Sequence, residues 1–283
     1  MKLENKIGIV DVGGGYRGIY AAGVLDTCMR LGIHFDVCIG VSAGSANMAS
    51  YLAGQRERNK VFYSQYGLRK QYAGMGNFLR KGSYIDLDYI YSVLSNSDGE
   101  YPLDYQGILS NSAEFLTVAT EAETGRVKYF DKTYLRQNNY DIFKASSAIP
   151  FICRPYKIGG IPYYDGALAD PVPVQKAFDM GCDKVVLLLT LPADTKRSQE
   201  NDIKLAKRIR KKYPIAADML EQRALRYTDG VNLAKRYVLK DKVLIIAPDD
   251  TCGVSTLCRD RDALLRFYKK GLQDGQKIPD FLS

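Results

Sequence analysis

An α/β fold, a three-layer α/β/α sandwich around a largely parallel central sheet, is what this sequence predicts. Three observations carry that expectation. Strand-length runs that are almost wholly apolar recur along the chain, as strands covered on both faces require. Segments of helical period alternate with them. Glycine clusters follow the first two runs, where a strand must turn sharply into a helix.

Ile7 to Val12 form the first apolar run, which ends in Gly13-Gly14-Gly15. Ile19, Ala22, Val24, Leu25, Cys28 and Leu31 then recur at helical spacing until Gly32. Phe35 to Ile39 read as a second strand, followed by Gly40-Val41-Ser42-Ala43-Gly44 and a small-residue helix ending near Gly54. A right-handed βαβ unit is the natural assembly. From Gln55 to Leu109 tyrosines (Tyr63, Tyr66, Tyr72, Tyr84, Tyr89, Tyr91) mix with Arg69, Lys70, Arg80 and Lys81, which reads as a helical insertion over the sheet edge. Phe115 to Thr120 and Arg126 to Phe130 predict a hairpin around Thr124-Gly125, and Pro155 to Ile158 with Ile161 to Tyr164 another around Gly159-Gly160. Pro173 to Met180 predict a helix closed by Gly181, Lys184 to Leu191 a buried strand, Lys242 to Ala247 a last strand and Ala263 to Leu272 a last helix.

Composition narrows the function classes. At 46% hydrophobic residues the chain can bury a substantial core, and no Pro/Gly/Ser linker divides it, so 1–283 is expected to be a single domain. Met1 to Lys6 are polar and charged, and the apolar stretch after them breaks at Gly13. Neither a secretory signal nor a membrane span is therefore expected, and the default location is cytoplasmic. Cys28, Cys38, Cys153, Cys182, Cys252 and Cys258 are scattered without a C-x-x-C pair, so neither a disulfide framework nor a metal site is expected. The net charge of +8 is unevenly placed: Lys196 to Lys212 hold eight Lys or Arg against Glu200 and Asp202. Such a run favours anionic partners, among them a membrane surface contacted peripherally, although a solvated face has the same composition. No nucleic-acid partner is expected.

The chemistry concentrates at strand ends. Consecutive parallel strands present their carboxyl ends to one edge of the sheet, where open α/β sheets bind ligands, so Gly13 to Gly18 and Ser42 are expected to be neighbours. Gly40-x-Ser42-x-Gly44 has the form of a nucleophile elbow, and Ser42 would stand at a helix N-terminus, which favours a developing negative oxygen. Taken alone this pattern also describes an ordinary strand-to-helix turn. The glycine run adds main-chain N–H donors for an oxyanion, with Gly14 and Gly15 as donors and Ala43 as a third. Gly13-x-Gly15-x-x-Gly18 also fits a dinucleotide fingerprint, but that motif wants an acid at the carboxyl end of the second strand, and Asp36 lies at its start.

A serine needs a base, and His34 is the only histidine. It precedes the strand whose far end holds Ser42, and about five residues at roughly 3.3 Å each place it about 17 Å away. The base must then be a carboxylate or a lysine. Asp165-Gly166, after the strand Ile161 to Tyr164, is the candidate, although Asp-Gly is equally the form of a plain turn.

Together these residues resemble the patatin-like phospholipase family, whose hallmarks are a G-G-G-x-R-G oxyanion loop, a G-x-S-x-G elbow and a D-G-[GA] base motif. The chain reads Gly13-Gly14-Gly15-Tyr16-Arg17-Gly18, Gly40-Val41-Ser42-Ala43-Gly44 and Asp165-Gly166-Ala167, in the family's order. Ala145-Ser146-Ser147-Ala148-Ile149-Pro150 is similar to the family's segment ahead of the base. The resemblance covers about 7–191, with 55–109 as the insertion and 192–283 as an extension of the same domain, and is nearest to bacterial serine hydrolases of the family. It implies a patatin-like sandwich without a cofactor, an acyl lipid substrate and a dyad without histidine. Ser42 then attacks the ester, Asp165 accepts its proton and later activates water, and the Gly13 to Gly15 loop holds the oxyanion. Arg17 matches the motif arginine, with two roles open: steadying the loop or attracting a phosphate. Ala167 stands where plant patatins have glycine, as in bacterial members.

An acyl chain needs an apolar groove, and the Tyr-rich insertion is its expected wall or lid. Asn201 to Tyr213 place Ile203, Ala206, Ile209 and Tyr213 on one side of a helix, with Lys207, Arg208, Lys211 and Lys212 elsewhere around it, an arrangement that could lie on an anionic bilayer. Two other readings stay open at this level: an esterase or thioesterase for soluble acyl substrates, and a lipid-binding protein with a vestigial site.

Overall fold

Strands buried on both faces need helices on both faces, and the chain supplies them by alternating the two. The computed structural model describes residues 5–283, so the first four residues of the polar opening Met1 to Lys6 lie outside the described residues. The elements run β1 (Ile7–Asp11), α1 (Gly18–Arg30), β2 (Val37–Val41), α2 (Ala43–Leu52), α3 (Arg58–Ser64), α4 (Met75–Lys81), α5 (Tyr105–Ser110), β3 (Glu114–Glu121), β4 (Val127–Phe130) and α6 (Asp141–Ser146). They continue with β5 (Tyr156–Ile158), β6 (Ile161–Asp165), α7 (Val174–Asp179), β7 (Lys184–Leu188), α8 (Glu200–Ile209), α9 (Pro214–Glu221), α10 (Arg223–Val238), β8 (Val243–Ile246), α11 (Arg261–Asp274) and α12 (Ile278–Leu282).

All eight strands join one sheet in the order β5-β6-β3-β2-β1-β7-β8, with β4 also paired to β3. The stretch β3-β2-β1-β7-β8 is parallel throughout. Strands β4 and β6 run antiparallel to β3, and β5 antiparallel to β6, so both predicted hairpins form and make one end of the sheet mixed. Neighbouring residues of a strand point to opposite faces, and two separate cores result. Ile9, Cys38, Phe115 and Leu188 pack with α1, α2 and α11, whereas Val10, Ile39 and Leu187 pack with α7 and α10. That is the three-layer α/β/α arrangement.

The structure adds α6, α9, α10 and α12 to the helices legible in the sequence. The 16-residue α10 escapes notice because its buried side is built from Ala224, Tyr227, Val231 and Ala234, small or amphipathic residues that make a weak apolar stripe. The basic segment needs a correction. Helix α8 stops at Ile209, and Ala206 and Ile209 are buried while Tyr213 packs edge-on against Tyr164 at 5.5 Å. Most of the apolar stripe is thus spent on the core, and only Ile203 of it stays exposed. Nor is the charge run one solvated face: Arg210 pairs with Asp218 and Glu221, and Arg208 covers the Phe151 ring. Lys204, Lys207, Lys211 and Lys212 remain exposed.

Candidate active site

Parallel pairing of β1 with β2, with Asp11 opposite Gly40, brings the glycine loop after β1 beside the turn after β2. Ser42 occupies that turn at φ 56° and ψ −129°, a conformation costly for a residue with a side chain and typical of a hydroxyl presented on a sharp strand-to-helix bend. The flanking glycines are sterically required. A Cβ on Gly40 would lie 2.5 Å from the Ser45 Cα, and one on Gly44 would collide with the Asp11 carbonyl oxygen. Ser146 locks the bend from outside: its Oγ accepts the Ser42 N–H at 2.8 Å and lies 3.0 Å from the Ser45 Oγ, which donates to the Gly40 carbonyl at 2.9 Å.

Asp165 arrives from the other direction, at the end of β6. Pairing of β6 with β3, which itself neighbours β2, delivers this carboxylate to the same edge. Its backbone N–H donates to the Ala148 carbonyl at 2.9 Å, its carbonyl accepts the Thr120 hydroxyl at 2.9 Å, and Oδ1 accepts the Ala167 N–H at 2.8 Å. Gly166 leaves room for this turn, since a Cβ there would strike the Val118 carbonyl. Burial raises the Asp165 pKa above the ordinary carboxylate value, against the Ala167 N–H, the Ser42 hydroxyl, Arg223 and Arg197, which all lower it. The Ser42 hydroxyl is among the groups that favour the ionised carboxylate. The arrangement can generate a nucleophile with a buried carboxylate as base. His34 is exposed before the start of β2, at the opposite end of the strand from Ser42.

In the glycine loop the three residues separate into different roles. Gly13 N–H donates to the Asp11 Oδ1 at 2.8 Å, and the Gly13 carbonyl accepts the Thr190 hydroxyl at 2.6 Å. The Gly13 N–H, expected as part of the oxyanion loop, is therefore already engaged by Asp11. Neither the Gly14 nor the Gly15 N–H donates to a backbone or side-chain acceptor among the described residues. Ala43, as the first residue of α2, has an N–H without an intrahelical acceptor. Gly18 sits under the Tyr63 hydroxyl and Ala43, and its carbonyl accepts from the Asn47 amide at 2.9 Å. Arg17 donates from Nη1 to the Thr256 hydroxyl at 2.9 Å, while the Thr256 carbonyl accepts the Tyr16 N–H at 3.1 Å, so the loop leans on the segment before α11.

The sequence alone passed over Asp11. It is fully buried and accepts both the Gly13 N–H and the Asn47 amide, each at 2.8 Å, tying the loop to α2. Burial pushes its pKa up to about 6. The signal was present: a carboxylate inside an apolar strand is rarely buried without a partner. Thr190, Ser146, Thr120 and Thr256 carry no comparable mark, since their roles exist only through contacts distant in the chain.

Beside Ser42 lies a cavity of about 50 Å³, walled on the insertion's side by Phe62, Tyr63, Tyr72, Ile90 and Tyr91. Ligand pockets hold roughly 300 Å³ or more. The space as it stands is smaller than that.

A family model described as patatin-like phospholipase matches residues 12–178, and a second, described as a domain of unknown function (DUF6363), matches residues 213–280. The uncharacterized protein YjjU of Escherichia coli is 33% identical over 191 residues, 66% of this chain and 53% of that protein. A protein of Aspergillus terreus named lysophospholipase nte1 is 28% identical over 187 residues, covering 63% of this chain and 11% of that protein. The matches thus span about half the length of the first relative and about a tenth of the second. Among solved structures, VipD from Legionella pneumophila shares the fold at a TM-score of 0.50 and 14% identity, over 98% of this chain and 67% of that one.

Proposed function

The chain belongs to the patatin-like phospholipase family, and from that premise we propose that it hydrolyses carboxylic ester bonds of phospholipids, lysophospholipids or related acyl lipids with Ser42 as nucleophile and Asp165 as base. One observation supports the reading: a strained serine on a strand-to-helix bend and a buried, hydrogen-bonded carboxylate stand at the same sheet edge, with the single histidine at the far end of the serine's strand.

The Ser42 Oγ attacks the ester carbonyl while its proton passes to Asp165. Negative charge then develops on the carbonyl oxygen, within a cradle made by the N–H groups of Gly14, Gly15 and Ala43. Collapse expels the alcohol, which takes the proton back from Asp165, and leaves an acyl-serine. Water, deprotonated by Asp165, attacks the acyl carbon, and the second collapse returns the proton to Ser42 and releases the fatty acid. Burial suits Asp165 to this task, since a raised pKa makes it a stronger proton acceptor once ionised. Arg17 steadies the loop through Thr256 in this scheme.

The mostly apolar lining beside Ser42 supports an acyl-chain substrate, which is admitted when the aromatic wall opens. Across p-nitrophenyl esters from acetate to palmitate, together with phosphatidylglycerol and lysophosphatidylglycerol, kcat/KM is expected to rise with chain length. A maximum at acetate, with neither lipid hydrolysed, would replace this reading by a soluble esterase.

No helix among the described residues is long and apolar enough to cross a membrane. Independently of that, the exposed Lys204 and Lys207 of α8 and Lys211 in the turn after it support a proposed peripheral, electrostatic contact with an anionic membrane surface. In flotation on vesicles containing phosphatidylglycerol, Lys207→Glu/Lys211→Glu should lower recovery several-fold at low salt, with little difference at 0.5 M salt. Equal recovery of both proteins at low salt would remove α8 from the interface.

A further inference from the structure

The cavity beside Ser42 is aromatic and aliphatic along its wall, yet one cation also lines it: Arg58, the first residue of α3, which is only 8% exposed. Its partners are all neutral. Nη2 donates to the Ser95 hydroxyl at 3.0 Å and to the Tyr101 carbonyl at 2.9 Å, and Nε to the Pro102 carbonyl at 3.4 Å, while the guanidinium carbon lies 5.2 Å from the centre of the Tyr101 ring. These contacts fix the side chain in place. No acceptor among the described residues takes the Nη1 hydrogens, and the adjoining Glu57 pairs with Lys60 instead, at 3.2 Å. Burial lowers the Arg58 pKa from the ordinary arginine value, against the surrounding phenols, which raise it. A buried cation with idle donors is costly beside hydrocarbon, and an anion delivered to it offsets that cost.

The order of residues along α2 places Arg58 away from the nucleophile. The next residue, Asn59, lies against the far part of that helix: its Oδ1 accepts the Ser50 hydroxyl at 2.9 Å, and its amide donates to the Asn47 carbonyl at 3.4 Å. Ser42 stands immediately before α2, so a rise of about 1.5 Å per residue puts this end of the cavity about 8 to 12 Å from it. Carbon–carbon bonds of about 1.5 Å advance roughly 1.25 Å each along an extended chain, and an acyl chain attached at Ser42 therefore reaches the guanidinium with about seven to nine carbons.

Resting on the hydrolase reading above, we propose that Arg58 binds a carboxylate at the distal end of the substrate's acyl chain, and so selects monoesters of dicarboxylic acids of about seven to nine carbons over plain fatty acyl esters of equal length. Nη1 supplies the charge-assisted hydrogen bond, which is worth more in an apolar surround than in water. The methylenes between ester and carboxylate pack on the aromatic wall, and hydrolysis releases the alcohol and a free dicarboxylate.

The test uses the full chain and p-nitrophenyl monoesters of heptanedioic, nonanedioic and dodecanedioic acids, each measured beside the plain ester of equal length. In wild type the ratio of kcat/KM between charged and plain ester should exceed one at seven or nine carbons and fall at twelve. A ratio below one at every length would overturn the proposal. Arg58→Met keeps most of the side chain's apolar volume and removes the charge, and at nine carbons its ratio should be about 10- to 100-fold below that of wild type, mostly through KM, the range for a hydrogen bond to a charged group. Each protein is compared with itself on two esters, so a general loss from the missing Ser95 and Tyr101 contacts cancels. A ratio equal to that of wild type, whatever the absolute rate, would leave Arg58 as a support of α3 only and overturn the assignment. Binding supplies a readout that needs no turnover: at millimolar concentration monomethyl nonanedioate should raise the Tm of Ser42→Ala more than dimethyl nonanedioate does, and the two should act equally on Ser42→Ala/Arg58→Met. Equal shifts in Ser42→Ala, or none, overturn the subsite even if esters are cleaved. Should Arg58→Met fail to fold, the length series in wild type and the Tm comparison in Ser42→Ala decide alone. If no ester is hydrolysed and Ser42 takes no fluorophosphonate, the hydrolase reading fails, while the Tm comparison still decides whether Arg58 holds a carboxylate.

Discussion

Ser42→Ala is expected to abolish labelling by a fluorophosphonate probe and to lower ester hydrolysis by about four to six orders of magnitude, the scale seen when a serine hydrolase loses its nucleophile. Asp165→Asn should cost about 10⁴-fold while preserving most of the hydrogen bonds that position the side chain, because an amide accepts the Ala167 N–H but cannot take a proton. Both proteins should fold: Ser42 is a small residue whose backbone strain is carried by the locked elbow, and Asn replaces Asp165 at nearly equal volume. Removal of a buried, desolvated carboxylate should even leave Asp165→Asn slightly more stable than wild type at neutral pH. The combination of a large loss of activity with unchanged or raised Tm separates a chemical role from a structural one. Labelling that persists in Ser42→Ala, or an Asp165→Asn enzyme within tenfold of wild type, would refute the dyad.

Asp11 should show the opposite pattern, with activity and stability falling together. Asp11→Ala strands the Gly13 N–H and the Asn47 amide in the interior, at about 1–3 kcal/mol for each unsatisfied group, and frees the oxyanion loop from α2. A displacement of about 1 Å in that loop is enough for a roughly 100-fold loss of kcat. Asp11→Asn keeps one acceptor and removes the buried charge, so it should be less destabilised than Asp11→Ala at pH 8.

The pH dependence follows from the same burial. Asp11 goes from 3.8 in the unfolded chain to about 6 in the folded one, and Asp165 moves in the same direction. Between these values the folded state holds protons that the unfolded state has released. Their contribution to stability is therefore fully present below pH 3.8 and declines as pH rises through about 6. Activity runs the other way, since Asp165 acts as base only when ionised, so kcat/KM should climb over an acid limb displaced upward from the ordinary carboxylate range. Chemical denaturation of wild type and Asp11→Asn at pH 5 and pH 8 checks the first statement: the decline in stability toward pH 8 should be smaller in Asp11→Asn. Equal pH dependence in both would show that Asp11 does not titrate in this window.

How much of this was legible from residues alone follows from where each piece of information resides. The sheet was readable because parallel strands buried on both faces must be continuously apolar, as Val37 to Val41 and Lys184 to Leu188 nearly are. Ser42 and the glycines around it were readable because a sharp bend admits few residue types, and Asp165 because its motif follows a strand and the single histidine lies elsewhere. Those are local facts, and local stereochemistry writes them into short stretches of chain. The insertion's aromatic residues were legible as a group, but which of them wall the cavity was not. The use of the Gly13 N–H, the grip of Ser146 on the elbow, the support from Thr190 and Thr256, and the burial of Ala206 and Ile209 of α8 were decided only by tertiary structure. Each depends on which distant segment packs against a given atom, and neither spacing nor composition specifies that. The basic stretch near residue 200 is the plainest case: composition says only that charge is present, and the fold alone sets Arg197 on the Tyr227 ring and Arg208 on the Phe151 ring.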